Sequence, residues 1–257
     1  MALTILPISG IPMVQPGDDL AALLFTACDR ADLRLADSDI LVICQKVVSK
    51  AEGRLVDLRT VSASPFAEQL AQQTDGKDPR VIELILRETK RIVRMDAGHL
   101  IVETGPGWVC ANAGVDESNA IREGVVTLLP EDPDRSASEL RRALRGHTGV
   151  DLAIVITDTF GRPWREGQVE FAIGVAGMEP LLDLRGSRDL NGHELRVTMI
   201  GSADQLACAA GLAMEKDQGI AAVLIRGFRY APPRAATTGE PTGGRALIRR
   251  RENDLFR

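Results

Sequence analysis

Aromatic side chains are scarce in this chain: six Phe, two Trp and one Tyr among 257 residues. The core must therefore be aliphatic, and an extended aromatic platform for stacking single-stranded nucleic acid is not expected. Positive charge is not in excess either. A formal net charge of -5 gives no global electrostatic reason to bind DNA or RNA, and the short run Arg249-Arg250-Arg251 reads as a solvated tail or a dimer contact. Nowhere do about 18 apolar residues run together, so no membrane span is expected. The opening MALTILPISGIP lacks the basic start and long apolar stretch of a signal peptide. The cysteines, Cys28, Cys44, Cys110 and Cys208, show no CxxC spacing and read as buried free thiols, which fits a cytoplasmic location. His99, His147 and His193 are scattered, which argues against a His-based zinc site. Neither GxxxxGK[ST] nor GxGxxG occurs, so a nucleotide site cannot rest on the usual phosphate loops.

What is present is an ordinary globular balance, 44% hydrophobic and 26% charged, in a chain long enough to bury a substantial core. Asp18 is placed to cap a first helix, DLAALLFTACDRA, ahead of a buried strand, ILVICQ. Ser64-Pro65 and Asp78-Pro79 are helix openings, because proline at the first helical position loses no needed N–H. HLIVET and WVCANA flank a Gly105-Pro106-Gly107 turn as a strand pair, and VVTLL is a further strand. Two prolines in PEDPD predict a loop, after which Ser136-Ala137-Ser138-Glu139 matches a capping box for a helix ending at Gly146. DLAIVIT and GIAAVLIRG read as central strands, and ELRVTMI alternates as a half-exposed strand should. Ser202-Ala203-Asp204-Gln205 is a second possible capping box, and PPRAATTGEPTGGR reads as a surface loop. Strands and helices interleave without regular alternation. The fold class expected is α+β, with mixed β-sheets and packed helices, over one doubly wound parallel sheet. One unit spanning 1–257 is expected; were there two lobes, the crossing would lie between Gly76 and Asp96 or around 167–189.

Two acidic tips carry the chemistry. In ANAGVDESN (111–119) a short apolar run gives way to a small-residue turn and then Asp116, Glu117, Ser118 and Asn119. In VITDTFGRPWREG (155–167) a strand is read as ending at Asp158, bracketed by the hydroxyls of Thr157 and Thr159. Carboxylate and hydroxyl oxygens are hard ligands that suit Mg²⁺ or Mn²⁺. Arg162 and Arg165 beside the second tip are plausible clamps for an anionic substrate. In MEKDQGI (214–220), Glu215 and Asp217 fall at a helix C-terminal end, where the dipole disfavours negative charge unless a cation is bound. Taken alone, ANAGVDESN and MEKDQGI read first as a surface turn and a solvated helix end, and TDT as readily as a strand-end turn. SGIP (9–12) offers a bend with free backbone N–H groups, while Lys46, Ser49 and Lys50 follow a strand directly, and the two lysines read as surface.

In this order, GIPMVQPGDD, DILVICQKVVSKAEGR, VCANAGVDESN, VITDTFGRPWREG, FAIGVAG, GSRDLNGHEL and AMEKDQGIAAVLIRG resemble the coenzyme F420-0:γ-glutamyl ligases over essentially the whole chain. The resemblance implies a mixed α/β fold in an intertwined homodimer that attaches L-glutamate to F420-0 with GTP. Two divalent ions, Mg²⁺ or Mn²⁺, take part, and K⁺ stays open as a further ion. By position it implies Asp116 and Asp158 on one metal, with Thr159 and Glu215 on a second. Ser9, Gly10, Ile11, Pro12, Cys44, Gln45, Ser49 and Asn119 would line the GTP site, together with Met214, Glu215, Lys216, Asp217, Gln218, Gly219 and Ile220. Lys50 is adjacent. The chain departs from the family's Met-Gly-Glu pattern at Met214-Glu215-Lys216, which makes Glu215 the matching carboxylate. Left open are an amide ligase with a different acceptor, a nucleotide-binding regulator without turnover, and a structural dimer.

Overall fold

The computed structural model describes residues 2–74, 76–96, 98–118, 121–214, 218–234 and 241–255. In chain order the elements are β1 (Thr4–Ile8), α1 (Leu20–Arg30), β2 (Ile40–Cys44), α2 (Gln45–Ala51), β3 (Leu55–Asp57), α3 (Pro65–Ala71), α4 (Pro79–Glu88), β4 (Thr89–Asp96), β5 (His99–Thr104) and β6 (Val109–Ala111). There follow β7 (Val125–Thr127), α5 (Pro133–Thr148), β8 (Ala153–Arg162), β9 (Arg165–Ala176), β10 (Leu181–Asp183), β11 (Met199–Gly201), α6 (Ser202–Gly211) and β12 (Ala222–Arg226). The class is α+β, as expected.

A five-stranded sheet in the order β1-β12-β2-β8-β9 forms the centre, antiparallel except where β2 runs parallel to β8. Both faces of its middle strands are covered, which explains why ILVIC, AIVIT and AVLIR are continuous apolar runs rather than alternating ones. Leu41, Ile43, Ile154, Ile156 and Leu224 point to one side, where α1 and α5 add Leu24, Ala27, Ala137 and Leu144. Ile40, Val42, Val155, Val223 and Ile225 point to the other, against Ala203, Leu206, Ala207 and Ala210 of α6. Small α6 residues allow that helix to lie close. A third cluster sits apart, where α3 and α4 (Leu70, Val81, Ile82, Ile85) cover Leu100 and Val102 of the sheet β4-β5-β6.

The helix openings at Ser64 and Asp78 form as predicted, with Ser64 Oγ accepting from the Ala67 N–H and Asp78 from the Arg80 N–H. Elsewhere the local signals are corrected. Asp19, not Asp18, caps α1; Asp18 accepts from the Gln15 N–H instead. The capping box at Ser136 is not used. Pro133 takes the first position of α5, Asp132 caps it, and Gly149 rather than Gly146 ends it in the left-handed region at φ 71°. The box at Ser202–Gln205 does not form either: Gly201 takes the cap position, Ser202 is already in α6, and the Asp204 side chain accepts the Ala172 N–H of β9. Of ELRVTMI only Met199 onward is strand. The loop prediction for 232–245 falls partly on 235–240, outside the described residues; beyond it, Gly244 is buried, and a Cβ there would sit 2.7 Å from the Ile173 carbonyl oxygen.

Candidate active site

The parallel pair β2–β8 delivers its chain ends to one place, the usual position for a site on such a sheet. A cleft of about 560 Å³ opens there, lined from β2–α2 by Cys44, Lys46 and Lys50 and from β8 by Asp158 and Thr159. Asp116 and Ser118 line it from the turn after β6, Glu170 from β9, and Met214, Gly219 and Ile220 from the segment before β12.

The small residues before Asp116 have a conformational reason. Asn112, Ala113 and Gly114 take φ values of 54°, 54° and 70°, a left-handed run that costs an L-residue about 1–2 kcal/mol at each non-glycine position. Lys77 Nζ holds Asn112 Oδ1 at 2.9 Å, and Ala113 is buried. At Gly114 a Cβ would meet Leu129 Cγ at 2.6 Å. The turn thus reverses the chain tightly, and Asp116 exchanges backbone hydrogen bonds with Thr127 at 3.0 and 2.8 Å. Its carboxylate is then held by Lys46 Nζ at 2.7 Å and by the Ser118 N–H at 2.7 Å, while Lys46 also donates to Ser118 Oγ at 2.7 Å. Burial pushes the Asp116 carboxyl up, but the hydrogen bonds from Lys46 and Ser118 outweigh it and hold the group below the usual carboxylate range.

Asp158 lies within β8 rather than at its end, because β8 runs on to Arg162 and turns through Pro163-Trp164 into β9. The apolar run ends at Ile156; strand pairing does not. Thr159 stands opposite Glu170 in the ladder and donates Oγ1–H to Glu170 Oε1 at 2.6 Å. The other carboxylate oxygen, Glu170 Oε2, is buried and has no partner among the described residues. Burial, followed by the charges of Glu170 and Asp116, pushes the Asp158 carboxyl up to about 7 despite the Thr159 N–H and Lys46. The two aspartates are therefore driven apart: Asp116 stays ionised, and Asp158 sits near neutrality. Lys50 is buried too, and desolvation with Lys46 beside it lowers its pKa.

Of the residues the sequence singled out, Ile11, Pro12, Cys44, Lys50, Asp116, Asp158, Thr159, Met214, Gly219 and Ile220 meet around this cleft. Ser9, Gly10 and Gln218 are exposed and do not line it. Gln45 and Ser49 are fully buried one helical turn apart, with Ser49 Oγ donating to Gln45 Oε1 at 2.7 Å, so their side chains serve α2 rather than the cleft surface. Asn119, Glu215, Lys216 and Asp217 lie outside the described residues. Arg165 does not line this cleft, and Arg162 turns to a second one described below, which Arg165 does not line either. Lys46, read from sequence as surface, is half-buried at the centre of the site, and Glu170 was not singled out at all. Among the described residues no group of three or more His, Cys, Asp or Glu is arranged to hold a metal ion.

Residues 10–227 match the family model described as F420-0:Gamma-glutamyl ligase. A coenzyme F420:L-glutamate ligase of Methanopyrus kandleri is 51% identical over 95% of this chain and 93% of its own. Those of Methanothermobacter thermautotrophicus, 44% identical over the whole of both chains, and Methanocaldococcus jannaschii, 43% identical over 88% of each, carry the same name.

Proposed function

Because the chain belongs to the F420-0:γ-glutamyl ligase family, we propose that it is a GTP-dependent ligase adding L-glutamate to coenzyme F420-0 in coenzyme F420 biosynthesis. The observation that carries the reading is one cleft in which Asp116, Asp158, Glu170, Lys46 and Lys50 converge from three separate stretches of chain. Its volume, about 560 Å³, is within the range of small-molecule sites. A carboxylate is too poor an electrophile to form an amide directly. In the proposed sequence, an oxygen of the F420-0 carboxylate takes the γ-phosphoryl group of GTP, releasing GDP and leaving an acyl phosphate. The glutamate amine then attacks the carbonyl carbon, the C–O bond to phosphate breaks, and the amine proton passes to solvent.

Charge builds on phosphoryl oxygens in the first step, so positioning and electrostatic stabilisation supply most of the catalysis. Lys46 and Lys50 are the cations placed to meet those oxygens, and Ile11, Pro12, Cys44, Met214, Gly219 and Ile220 offer walls for the nucleotide. Two divalent ions, Mg²⁺ or Mn²⁺, are proposed on Asp116 and Asp158 and on Thr159 and Glu215, with K⁺ as a further candidate. Asp116, Asp158 and Thr159 offer the carboxylate and hydroxyl oxygens that hard cations prefer, Glu170 Oε2 is sealed without a partner among the described residues, and burial with neighbouring carboxylates raises Asp158. Bound there, such ions would neutralise phosphoryl charge.

A homodimer and a cytoplasmic location belong to the same proposal. In support of the dimer, the arm from β10 to β11 exposes Leu182, Leu190, Val197 and Met199 to solvent. The described thiols are free, and no described helix is long and apolar enough to cross a membrane. The decisive experiment incubates the protein with GTP, Mn²⁺, L-glutamate and F420-0 and reads mass. Addition of a glutamyl residue with GDP release is expected. GTP binding without product would leave a nucleotide-binding regulator, and product only with another acceptor would leave a different amide ligase.

A further inference from the structure

A second cleft, about 290 Å³ in volume, adjoins the first, and Phe160 and Gly161 line both. Its other walls include Trp108, Phe171, Arg162 and Arg249. Phe160 and Phe171 stack across the β8–β9 hairpin with ring centroids 5.7 Å apart, so the shared wall is stiff. Two hydrogen-bond donors here are sealed from solvent without an acceptor among the described residues. One is Nε of Arg162, whose Nη2 is already committed to the Glu166 carbonyl at 2.8 Å. The other is the indole Nε1 of Trp108, a side chain only 7% exposed. Orphaned buried donors are unfavourable, and native structures seldom keep them without a reason. Among the described residues one carboxylate lines this cleft, Asp204, whose Oδ1 is engaged by the Ala172 N–H at 3.0 Å. With Arg162 and Arg249 against Asp204 the lining is cationic, and two unmet donors lie directly behind it, while the main cleft beside it is rich in carboxylates.

We propose that this annex binds the carboxylates of the incoming L-glutamate, with Arg162 and Arg249 as its anion-holding side chains. The proposal rests on the ligase reading above. The exposed Arg249 presents a planar fork of donors matched to carboxylate, Arg162 adds its charge and the terminal nitrogen not committed to Glu166, and two such side chains suit a dicarboxylate. Size agrees: about 290 Å³ accommodates an amino acid, whereas the nucleotide requires the larger cleft. Position agrees as well. An amino acid held by its carboxylates beside Phe160 and Gly161 adjoins the cleft in which the other substrate's carboxyl group is activated, and its amine would reach over the wall at Gly161, where a Cβ would meet nothing within 4 Å.

The test uses Arg249→Ala and Arg162→Gln, with Arg162→Lys as a variant that keeps the charge should the first disturb the hairpin. Steady-state ligation is measured against glutamate, F420-0 and GTP in turn. KM for glutamate is expected to rise about ten- to hundredfold, the scale for losing a charged hydrogen-bonding partner, with KM for GTP and F420-0 within about twofold. Hydroxylamine replaces glutamate in a second assay, where it attacks the activated carboxyl, displaces phosphate and leaves a hydroxamate. That reaction needs no annex and is expected to persist in each variant. Glutamine and 4-aminobutyrate, each lacking one carboxylate charge, are expected to compete better against glutamate in the variants than in the parent. An unchanged KM for glutamate, or a KM for F420-0 that rises with it, would overturn the assignment. If the parent enzyme makes no glutamyl product, the ligase reading itself has failed; product with an unmoved glutamate KM sinks the annex alone.

Discussion

Replacing Asp158 by asparagine is expected to stabilise the metal-free protein while abolishing its activity. Ordinary Asp titrates near 3.8, and burial, with Glu170 and Asp116 adding to it, moves Asp158 up to about 7. At about 1.4 kcal/mol per pKa unit, ionising Asp158 in the folded chain costs on the order of 4 kcal/mol, and about 2–4 once local relaxation and water are allowed for. The sign follows from proton counts. Below pH 4 the carboxyl is protonated in both folded and unfolded chains and costs nothing. Between pH 4 and 7 the folded chain holds a proton that the unfolded chain has lost, so stability falls as pH rises, and above pH 7 the whole penalty is present. Asparagine keeps an oxygen for the Thr159 N–H and carries no charge. Urea or thermal denaturation in EDTA should therefore show Asp158→Asn more stable than the parent by about 2–4 kcal/mol at pH 8, or about 5–15 °C in Tm. The gap should close toward pH 4. Asp116, held below the usual carboxylate range, stays ionised in both proteins while Asp158 titrates, so the difference reports Asp158 together with its repulsion by Asp116. Ligation by the variant should fall by at least about two to three orders of magnitude. Equal stability at pH 8, or a gap independent of pH, would refute the electrostatic account of this residue.

Other outcomes follow from single contacts. Lys46→Met leaves the Asp116 carboxylate with Ser118 alone; since the pair is partly solvated, a loss of about 1–2 kcal/mol is expected at pH 7. Because the Asp116 carboxyl is held below its usual range, that loss should shrink as pH falls through the carboxylate range, which thermal denaturation at pH 7 and pH 3 would measure. Gly211→Ala would place a Cβ 2.8 Å from Glu170 Cγ, a side chain that can swing, so stability should stay within about 1 kcal/mol while ligation falls about tenfold as Glu170 leaves Thr159. Gly174→Ala meets backbone instead, the Pro133 carbonyl oxygen at 2.3 Å, and should cost about 3 kcal/mol or more in denaturant unfolding with poor soluble yield.

The central strands were legible because burial on both faces leaves an unbroken apolar run, and ILVIC, AIVIT and AVLIR could be little else. Ser64 and Asp78 were legible because proline fixes the position next to the cap. The signals that misled were isolated polar residues whose partners are remote. Ser202 and Gln205 matched a capping box by spacing, yet the helix already starts at Ser202 and Asp204 between them bonds to Ala172 on a neighbouring strand, and Ser136 lost its capping role because Pro133 starts the helix a turn earlier. Short-range pattern cannot weigh a bond made across 32 residues. Lys46 was hidden for the same reason: on α2 it looks solvated, and only the left-handed turn at 112–114 brings Asp116 to it.

Glu170 had a stronger reason to escape notice. In REGQVEFAIGVA it falls where a solvent-facing residue is expected, and its distance from Asp158 follows no motif. Its place is set by pairing. Ile154 to Ile156 pair with Ala176 to Gly174, and continuing that register would put Glu170 opposite Phe160. A bulge after Ile156 omits one residue of β9, so that Thr157 pairs with Ala172 and Glu170 comes opposite Thr159. Successive residues on a strand point to opposite faces, so this single step decides which side of the ladder the carboxylate shares with a neighbour. The bulge lets Glu170 accept from Thr159 and raise the pKa of Asp158, while the apolar residues of β8 before Asp158 remain sealed in the core. The hairpin thus changes from core to site within one strand. Its apolar half could be read from residue types, and its chemical half depends on a register that residue types do not encode.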